Sequence, residues 1–531
     1  MPSDCISYQD SGYFSKLMID YLNEDKNVKS LYHRFPNLEN FEAQILEKQA
    51  DFAPNNRNIL SQALANQYAN FEISEATKAN IELLKNSNTF TITTGHQLNL
   101  FTGPLYFLYK IISVINLTKE LKAKYPTFDF VPVYWMATED HDFDEIHYFN
   151  YEDKKFQWNK EASGPVGRLD LEDLDKVFEA FSTELGLGEN AKQLKTWFEN
   201  AYLKHPNLSD ATRYLANEIF GSYGLVIVDG DDKNLKSLFA PYIFKELVEQ
   251  QSHNEVAKSY EILKDYLIQV NPREINLFYI ENGLRERIVF ENELYKVNHT
   301  NITFTRDEIL NLVETNPEKF SPNVILRPLY QEIILPNLCY IGGGGELAYW
   351  LELKEVFTYF KVPFPMILLR NSVLIASEKQ ANKADKLDLN WKDLFLKKDQ
   401  LIHNKTIALS ENHFDFEQQR NFLHKQFNDL KTLALKTDKS FENAVLAQEK
   451  KQLKGLDNLE KRLLKAERKL NQDILNRIVD LQLELFPKGS LQERNVNFSQ
   501  FYKAYGNELI ERLFEELHPL NQEFSIILFE S

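Results

Sequence analysis

Cysteine is nearly absent from this sequence, with Cys5 and Cys339 as the only two among 531 residues. Two cysteines are too few for a disulfide framework or for a zinc site built from four thiolates. Such low cysteine usage suits the reducing cytosol, so we predict a cytoplasmic protein without a metal site. Cys339 has apolar neighbours and is interpreted as a small buried hydrophobe rather than a nucleophile.

Basic charge is also in deficit, because 61 Lys and Arg side chains are outnumbered by 78 Asp and Glu side chains, giving a net charge of -17. An acidic surface repels phosphate backbones, which argues against nucleic acid as the main partner but does not exclude a local nucleotide pocket. No apolar run approaches the roughly 18 residues that a membrane span needs. Met1–Cys5 lacks the basic and apolar regions of a signal peptide. We therefore expect a soluble protein with no membrane partner.

The stretch from Thr89 to Glu145 places polar groups directly after apolar strands. Thr89–Thr94 alternates as a strand does, and Leu105–Lys122 has the apolar spacing of a helix that packs on a sheet. Phe130–Ala137 is compact enough for a second, buried strand. In open α/β sheets, ligands bind where strand carboxyl ends meet helix amino termini. The polar residues that follow these two strands are therefore predicted to share one site.

The loop after the first of these strands has the parts of a nucleotide-phosphate site. A glycine permits close approach of a ligand, a histidine and two amides supply hydrogen bonds, and the helix that begins after Gly103-Pro104 favours anions at its start. The alternative for the histidine is a loop residue that caps a helix. The predicted phosphate-binding residues are Gly95, Gln97, Asn99 and Gly103, with His96 as a catalytic candidate.

A dense group of acids and imidazoles follows the second strand. Asp140, His141 and Asp142 could position an amine, act as a base or hold a divalent cation. The alternative is a solvated acidic loop. Their position at the carboxyl end of a strand favours function, so we take all three as catalytic candidates.

Further strands of the same sheet are predicted later in the chain. Gly224–Asp232 is a buried strand that ends in acids, Leu338–Ile341 runs into the glycines Gly342–Gly345, and Met366–Arg370 is the last strong candidate. Four glycines before a helix indicate tight packing or ligand approach, with a sharp turn as the alternative. Their spacing matches neither a Walker loop nor a dinucleotide fingerprint.

Seven residues of this later region are predicted to bind substrate. Two of them are arginines, which suit carboxylate or phosphate but serve equally in structural ion pairs. The predicted residues are Arg327, Gln331, Glu332, Gly343, Gly344, Glu346 and Arg370.

The length exceeds what one hydrophobic core usually holds, so we predict a large α/β domain with appendages. Short alternating runs predict an antiparallel β insertion with a helix at Arg306–Val313, and Phe524–Phe529 is interpreted as a strand that returns to the core. The predicted boundaries are core at 1–150, 210–249 and 321–375, a helical insertion at 151–209, a small α+β insertion at 250–320, a helical coiled-coil domain at 376–490 and a returning segment at 491–531.

A heptad pattern occupies the late part of the chain. Apolar residues recur in steps of three and four from Leu456 to Leu485, with one extra four-residue step near Leu470. This stuttered pattern predicts a long coiled-coil helix, which Pro487-Lys488-Gly489 ends. Gln418–Leu435 has apolar positions that suit an antiparallel partner helix.

Three motifs in this order resemble one known family. Thr94-Gly95-His96-Gln97 with Gly103-Pro104, then Ala137–Asp142, then Gly342–Glu346 before an aromatic-rich helix are similar to the bacillithiol-synthesis cysteine-adding enzymes, the cysteine ligases called BshC. The resemblance extends over most of the chain, including the coiled coil. It implies a Rossmann-like core related to nucleotidyltransferases, connecting insertions, and a coiled coil that forms a homodimer.

The reaction implied by the resemblance joins the cysteine carboxylate to the amine of glucosaminyl-malate, giving bacillithiol. A carboxylate acylates an amine only after activation, so ATP is implied, while adenylate formation, phosphorylation of cysteine and an ADP site of another purpose stay open. The nucleotidyltransferase pattern has two histidines around a glycine, whereas Thr94 precedes Gly95 here. The implied roles are phosphate or leaving-group stabilisation by His96, Gln97 and Asn99, amine binding or deprotonation by Asp140, His141 and Asp142, and carboxylate binding by Arg327 or Arg370.

Two other functions stay open from the residues. A metal-dependent hydrolase could use Asp140, His141, Asp142 and Asp229. A coiled-coil scaffold protein could explain the heptads.

Overall fold

The structure, a computed structural model, describes residues 4–410, 416–436 and 439–530. It divides into two compact units, the first comprising Met1–Ile375 and Leu491–Ile527 and the second Ala376–Ser490 and Leu528–Ser531. Met1–Ser3, part of the segment compared above with a signal peptide, lie outside the described residues. Within the described ranges, no helix combines the length and apolar character needed to cross a bilayer.

Strands and helices are numbered in chain order. The strands of the described residues are β1 (Asp4–Ser7), β2 (Thr89–His96), β3 (Asp129–Met136), β4 (Tyr148–Tyr151), β5 (Lys154–Gln157), β6 (Val226–Asp229), β7 (Leu277–Glu281), β8 (Leu284–Glu291), β9 (Leu294–Val297), β10 (Thr303–Phe304), β11 (Phe320–Pro322), β12 (Asn337–Gly342), β13 (Met366–Leu369), β14 (Ser372–Ser377) and β15 (Glu523–Phe529).

The α-helices of the described residues are α1 (Tyr8–Ser11), α2 (Lys16–Leu22), α3 (Asn40–Asp51), α4 (Pro54–Gln67), α5 (Glu75–Leu83), α6 (Tyr106–Lys124), α7 (Phe143–Ile146), α8 (Leu174–Leu185), α9 (Glu189–Lys204), α10 (Leu208–Phe220), α11 (Lys233–Glu249), α12 (Ser252–Leu263), α13 (Arg306–Thr315), α14 (Leu326–Ile334), α15 (Gly344–Trp350), α16 (Lys354–Phe360), α17 (Glu378–Lys386), α18 (Trp391–Phe395), α19 (Lys398–Leu409), α20 (Glu417–Ala434), α21 (Lys439–Leu470), α22 (Gln472–Leu485), α23 (Gln492–Asn495), α24 (Phe498–Tyr505) and α25 (Asn507–Glu516).

Five parallel strands form the central sheet of the first unit, in the order β13-β12-β2-β3-β6. This confirms the predicted parallel α/β core. Strand β2 is buried along all its residues and has β12 and β3 as its two neighbours. Because the strands are parallel, their carboxyl ends lie at the same edge of the sheet. The loops after β2 and β3 therefore start side by side.

Helix α6 covers one face of this sheet. Its Val114, Leu117 and Leu121 pack in one core with Phe90 and Ile92 of β2, as the apolar spacing predicted. Lys110, near the start of α6, donates to the Gly95 carbonyl at 2.7 Å, so the beginning of the helix lies beside the carboxyl end of β2.

Three further sheets of the described residues accompany the parallel one, and the smallest is the antiparallel pair β4-β5. The predicted β insertion is confirmed as a sheet of order β10-β9-β8-β7-β11, and its helix is α13. The predicted final strand is also confirmed as β15, but it joins a separate sheet of order β1-β15-β14, in which it runs antiparallel to β1. The segment from Leu491 to Ile527 thus belongs to the first unit.

The second unit contains the predicted antiparallel helix pair, α20 and α21. Their ion pairs show the direction, since Arg420 meets Asp457 and Glu460 whereas Lys431, later in α20, meets the earlier Glu442. One expectation was wrong: the heptad segment is not a single helix.

The long helix is interrupted at Asn471, which leaves helical geometry with φ -98° and ψ 17°. The interruption follows Leu470, where the extra four-residue step occurs. A stutter rotates the apolar stripe around the helix axis, and a local break in the helix accommodates this rotation. The residues Lys439–Leu470 and Gln472–Leu485 accordingly form α21 and α22.

A buried ion pair lies beneath the parallel sheet. Lys48 Nζ of α3 is 3.4 Å from Glu332 Oε2 of α14, and neither side chain is exposed. Gln331 Nε2 and Asn337 Nδ2 donate to the other Glu332 oxygen, at 3.0 and 2.7 Å. Asn337 in turn accepts from Thr93 of β2. The network satisfies polar groups that would otherwise be costly inside the core.

We predict that Lys48→Met destabilises the protein strongly, by about 3 kcal/mol or more, because it leaves the Glu332 carboxylate buried without a cation. Thermal or urea unfolding of the purified chain measures the effect. Lys78→Met is the matched control, since Lys78 forms an exposed pair with Glu75 and its loss should change stability by about 0.5 kcal/mol at most. Equal midpoints for the two variants would contradict the prediction.

Candidate active site

The two predicted polar loops meet at the carboxyl edge of the parallel sheet. Gln97 Nε2, just after β2, donates to Asp140 Oδ2 at 3.1 Å and to Glu145 Oε2 at 2.8 Å. Asn99 Nδ2 donates to the Glu145 carbonyl at 3.1 Å. The amides of Gln97 and Asn99, which we predicted to bind phosphate, thus hold the second loop in this structure.

Gly103 supports this arrangement through its backbone. Its φ is +63°, and a Cβ at this position would lie 2.5 Å from the Asn99 Cβ. A side chain there would therefore displace Asn99. The structure gives Gly103 a role in seating the loop, and its contact with a phosphate stays a prediction.

His96 is buried at the end of β2, with only 7% of its surface exposed. Its ring packs against Tyr106 and Phe107, with ring centroids 5.5 and 5.0 Å away. Burial lowers the pKa of His96 well below its usual value and the charge of Lys110 lowers it further, while a hydrogen bond to the Thr102 backbone opposes the shift. The ring is therefore neutral at physiological pH.

One ring nitrogen of His96 has no partner. Nε2 is buried and makes no hydrogen bond in the described structure. A neutral imidazole carries a proton on one nitrogen and a lone pair on the other, so Nε2 can accept or donate a hydrogen bond according to which nitrogen holds the proton.

A buried lysine lies beside His96. Lys110 Nζ of α6 donates to the Gly95 carbonyl at 2.7 Å and pairs with Glu346. Tyr340 Oη donates to the other oxygen of Glu346, at 2.7 Å. Burial lowers the pKa of Lys110, and Glu346 opposes the shift. Glu346, a predicted substrate ligand, thus joins α6 to the carboxyl ends of β2 and β12.

The glycine turn Gly342–Gly345 is closely packed at two of its positions. A Cβ at Gly342 would lie 2.9 Å from Leu347 and Tyr340, and one at Gly344 would lie 3.3 Å from Met18 Cγ. A Cβ at Gly343 would lie 3.8 Å from Arg370 Nε, whereas one at Gly345 would meet nothing within 4 Å. Gly342 therefore permits close packing, and contact of Gly343 and Gly344 with a substrate stays a prediction.

Arg370 is largely occupied by an internal partner. Its Nη2 and Nη1 donate to Glu493 at 2.7 and 3.1 Å, and its guanidinium lies over the Tyr106 ring at 4.8 Å. Only Nε is buried without a partner in the described residues. An ion pair with Glu493 therefore takes the place of the predicted bidentate contact between Arg370 and a substrate carboxylate. The Nε–H group of Arg370 is the donor that remains.

Arg327 has no such partner. Nη1 donates to Gln331 Oε1 at 3.1 Å and Nη2 to Tyr349 Oη at 3.3 Å, and its guanidinium lies 5.7 Å from the Tyr340 ring. Within the described ranges it forms no ion pair with a carboxylate. Of the two predicted arginines, Arg327 is therefore the one without a carboxylate partner among the described residues. Gln331 and Glu332, which were also predicted to bind substrate, belong to the buried network beneath the sheet.

The loop after β3 receives an arginine from the inserted sheet. Arg285 Nη1 of β8 is 2.5 Å from His141 Nδ1, and the guanidinium stacks on Phe278 at 4.0 Å. Burial lowers the pKa of His141, and Arg285 lowers it further. Arginine can only donate, so Nδ1 of His141 accepts and its Nε2 carries the proton. Asp142 beside it is exposed.

Asp229 ends β6, the strand beside β3, and contacts the loop that follows β3. Its carboxylate accepts from Ser209 Oγ at 2.7 Å, from Thr138 and from the Asp231 backbone. Among the described residues, no group of three or more His, Cys, Asp or Glu side chains has the arrangement of a metal site.

Sequence reasoning missed several side chains that build this site. Lys110 had a usable signal, because it is the only charge between Leu105 and Thr118 in an otherwise apolar helix. Glu493 and Arg285 had none, since each is far along the chain from the residue that it contacts and no local pattern marks the contact.

Comparison with known proteins identifies the family. The description "Bacillithiol biosynthesis BshC, N-terminal Rossmann-like domain" matches residues 1–371, and "Bacillithiol biosynthesis BshC, C-terminal coiled-coil domain" matches residues 373–529. A solved arginyl-tRNA synthetase from Plasmodium falciparum has 9% identity and a TM-score of 0.24, covering 81% of this chain and 76% of its own; so low a score supports no inference.

Two curated relatives are similar over nearly the whole chain, and both have the name "Putative cysteine ligase BshC". The protein from Flavobacterium johnsoniae is 61% identical, covering 99% of this chain and 100% of its own. That from Flavobacterium psychrophilum is 60% identical, covering 99% of each. The chain belongs to the bacillithiol biosynthesis BshC family, with a Rossmann-like first domain and a coiled-coil second domain.

Proposed function

We propose that this chain is a ligase that joins the carboxylate of L-cysteine to the amine of glucosaminyl-malate, giving bacillithiol. Membership of the family supports a role in bacillithiol synthesis, and the printed name of its relatives supports cysteine as a substrate. The observation that carries the proposal is the Gln97–Asp140 hydrogen bond, because it joins the loops after β2 and β3. The preceding residue, His96, has a ring nitrogen, Nε2, without a hydrogen-bond partner in the described structure. A free cysteine and a thiol product suit a reducing compartment, so the proposal includes a cytoplasmic location.

The carboxylate of cysteine needs activation before an amine can attack it. In the proposal ATP supplies it, either as an acyl adenylate with release of pyrophosphate or as an acyl phosphate with release of ADP. The amine nitrogen then attacks the acyl carbon, the nucleotide or phosphate leaves, and the nitrogen loses a proton. Identification of the released nucleotide separates the two routes.

His96 is the proposed acceptor of that proton. The imidazole is neutral and its Nε2 has no hydrogen-bond partner in the described structure, and positioned proton acceptors accelerate such steps by typically 10²–10⁴-fold. Asp140 is oriented by Gln97 and by the His141 backbone, so it can hold the ammonium form of the sugar amine with Asp142. Arg327 and the free Nε of Arg370 are the proposed contacts for the anionic groups of the substrates.

We expect His96→Ala to lower the turnover of cysteine, glucosaminyl-malate and ATP by about 100-fold or more, because the proton acceptor is lost. Mass detection of the thiol product measures turnover. His299→Ala is the matched control, since His299 is an exposed histidine of the inserted sheet, and it should keep full activity. If His96→Ala unfolds at the normal temperature and keeps wild-type turnover, His96 has no part in the mechanism.

Arg327→Gln is expected to raise KM for glucosaminyl-malate about tenfold or more with a smaller change in kcat, because a charge-assisted contact to a carboxylate is lost before the chemical step. Steady-state kinetics with cysteine and ATP saturating give both constants. Arg306→Gln, an exposed arginine of α13, is the control and should leave both unchanged. An unchanged KM for Arg327→Gln would remove it from substrate binding.

We further propose that the coiled-coil domain forms a homodimer. Large apolar side chains are exposed along its helices, among them Phe422 at 64%, Leu459 at 54% and Leu470 at 79%. Exposed apolar surface of this kind marks protein interaction sites, and heptad helices associate through it.

Leu459→Glu should shift the protein from dimer to monomer, because a charge at the apolar surface would be desolvated on association. Light scattering after size-exclusion chromatography measures the mass. Asn458→Glu adds the same charge at a neighbouring exposed polar position and should stay dimeric. A monomeric wild-type protein, or a Leu459→Glu dimer of unchanged stability, would refute the dimer.

A further inference from the structure

A cavity lies in the first unit, in the inserted region that contains the sheet β10-β9-β8-β7-β11. Its volume is about 430 Å³, within the range of small-molecule sites. Its polar lining contains Arg273, Arg287 and His253, and Ile275, Ile288 and Phe290 contribute an apolar wall. None of these residues belongs to the candidate active site.

The two arginines of this cavity have no ion-pair partner among the described residues. Within the described part of the chain, neither guanidinium forms an ion pair or a side-chain hydrogen bond. Glu274 also lines the cavity, but it is exposed and pairs with neither arginine. In a chain of net charge -17, two unpaired arginines around one cavity favour an anionic ligand.

His253 supplies a third polar group. It is the second residue of α12, and its Nδ1 is buried without a hydrogen-bond partner in the described structure. Backbone N–H groups at the start of a helix add partial positive charge at the same place. An anion in the cavity would give these groups the partner that they lack.

The walls of the cavity are held by buried hydrogen bonds. Asn276 Nδ2 donates to Ser252 Oγ at 2.6 Å and to the Arg273 carbonyl at 2.8 Å, and its Oδ1 accepts from the Arg273 backbone at 3.0 Å. Glu246 accepts from Ser252 Oγ at 2.6 Å and from the Asn276 backbone at 3.0 Å. These bonds tie the segment of Arg273 to the start of α12.

A further carboxylate fixes the same segment from the other side. Glu352 is fully buried and accepts from the backbone N–H groups of Gln269 and Val270, at 2.7 and 3.4 Å. The segment that contributes Arg273 is therefore anchored both before and after this residue. Such anchoring is expected of a preformed binding site, since it lowers the entropy lost when a ligand binds.

We propose that this cavity binds a phosphate monoester, with the phosphate between Arg273, Arg287 and the start of α12 and an apolar or aromatic body against Phe290. Two guanidinium groups match the several oxygens of a phosphate dianion. The cavity is larger than a phosphate ion needs, and its apolar wall suits the organic part of an ester. This site is separate from the ligase chemistry proposed above.

Calorimetric titration of the full chain at low ionic strength tests the proposal, with inorganic phosphate and phenyl phosphate as probes. Arg273→Gln and Arg287→Gln should each weaken binding about tenfold or more, and the double variant should abolish it. Phenyl phosphate binding more tightly than inorganic phosphate would support an ester, and equal affinities would overturn the part assigned to the apolar wall.

Two controls separate this site from the active site. Arg306→Gln removes an exposed arginine of the same inserted region and should bind both probes as the wild type does. Arg327→Gln should also keep the binding at this cavity, whatever its effect on ligase activity. The proposal is overturned if the wild type binds neither probe at millimolar concentration, or if the folded double variant binds them as the wild type does.

Discussion

The ion pair between the buried Lys110 and the partly exposed Glu346 is the interaction on which the candidate active site depends. It connects α6, the end of β2 and the helix after the glycine turn, with Tyr340 and the Gly95 carbonyl completing its hydrogen bonds. Burying the Lys110 charge is costly, and its attraction to Glu346 repays this cost only with good geometry and further hydrogen bonds. The sheet supplies that geometry because the carboxyl ends of its parallel strands lie at one edge. The same pair sets the electrostatics of the site, since the lysine charge helps to keep His96 neutral.

The parts of the fold that follow from local patterns could be predicted from the sequence. Strand β2 alternates polar and apolar residues, β3 and β12 are apolar runs between loop residues, and α6 has a regular apolar face. Each of these patterns predicts its own element. The prediction of one unbroken coiled-coil helix was wrong at Asn471, although the extra step near Leu470 was visible. A stutter indicates a mismatch, but whether a helix underwinds or breaks depends on its packing partners, which the sequence does not display.

The sequence predicted where the site lies, but it did not predict most of the hydrogen bonds and ion pairs within the site. Gln97 and Asp140 were both expected at the sheet edge, and they meet there. Arg370 was expected to bind substrate, yet Glu493 occupies its two terminal nitrogens. A partner so far along the chain produces no periodicity or spacing in the sequence from which the contact could be predicted. Hydrogen-bond direction was equally hidden, because the tautomer of His141 depends on Arg285, which only the folded chain brings near it.

The pairing of Arg370 with Glu493 has a consequence for how the protein is made. Most of the second unit, from Ala376 to Ser490, lies between these two residues in the chain. During synthesis the amino-terminal part emerges from the ribosome first and can begin to fold. Arg370 then stays without its carboxylate until the helices of the second unit have also been translated. The ion pair that holds Arg370 can therefore form only after Glu493 has been translated.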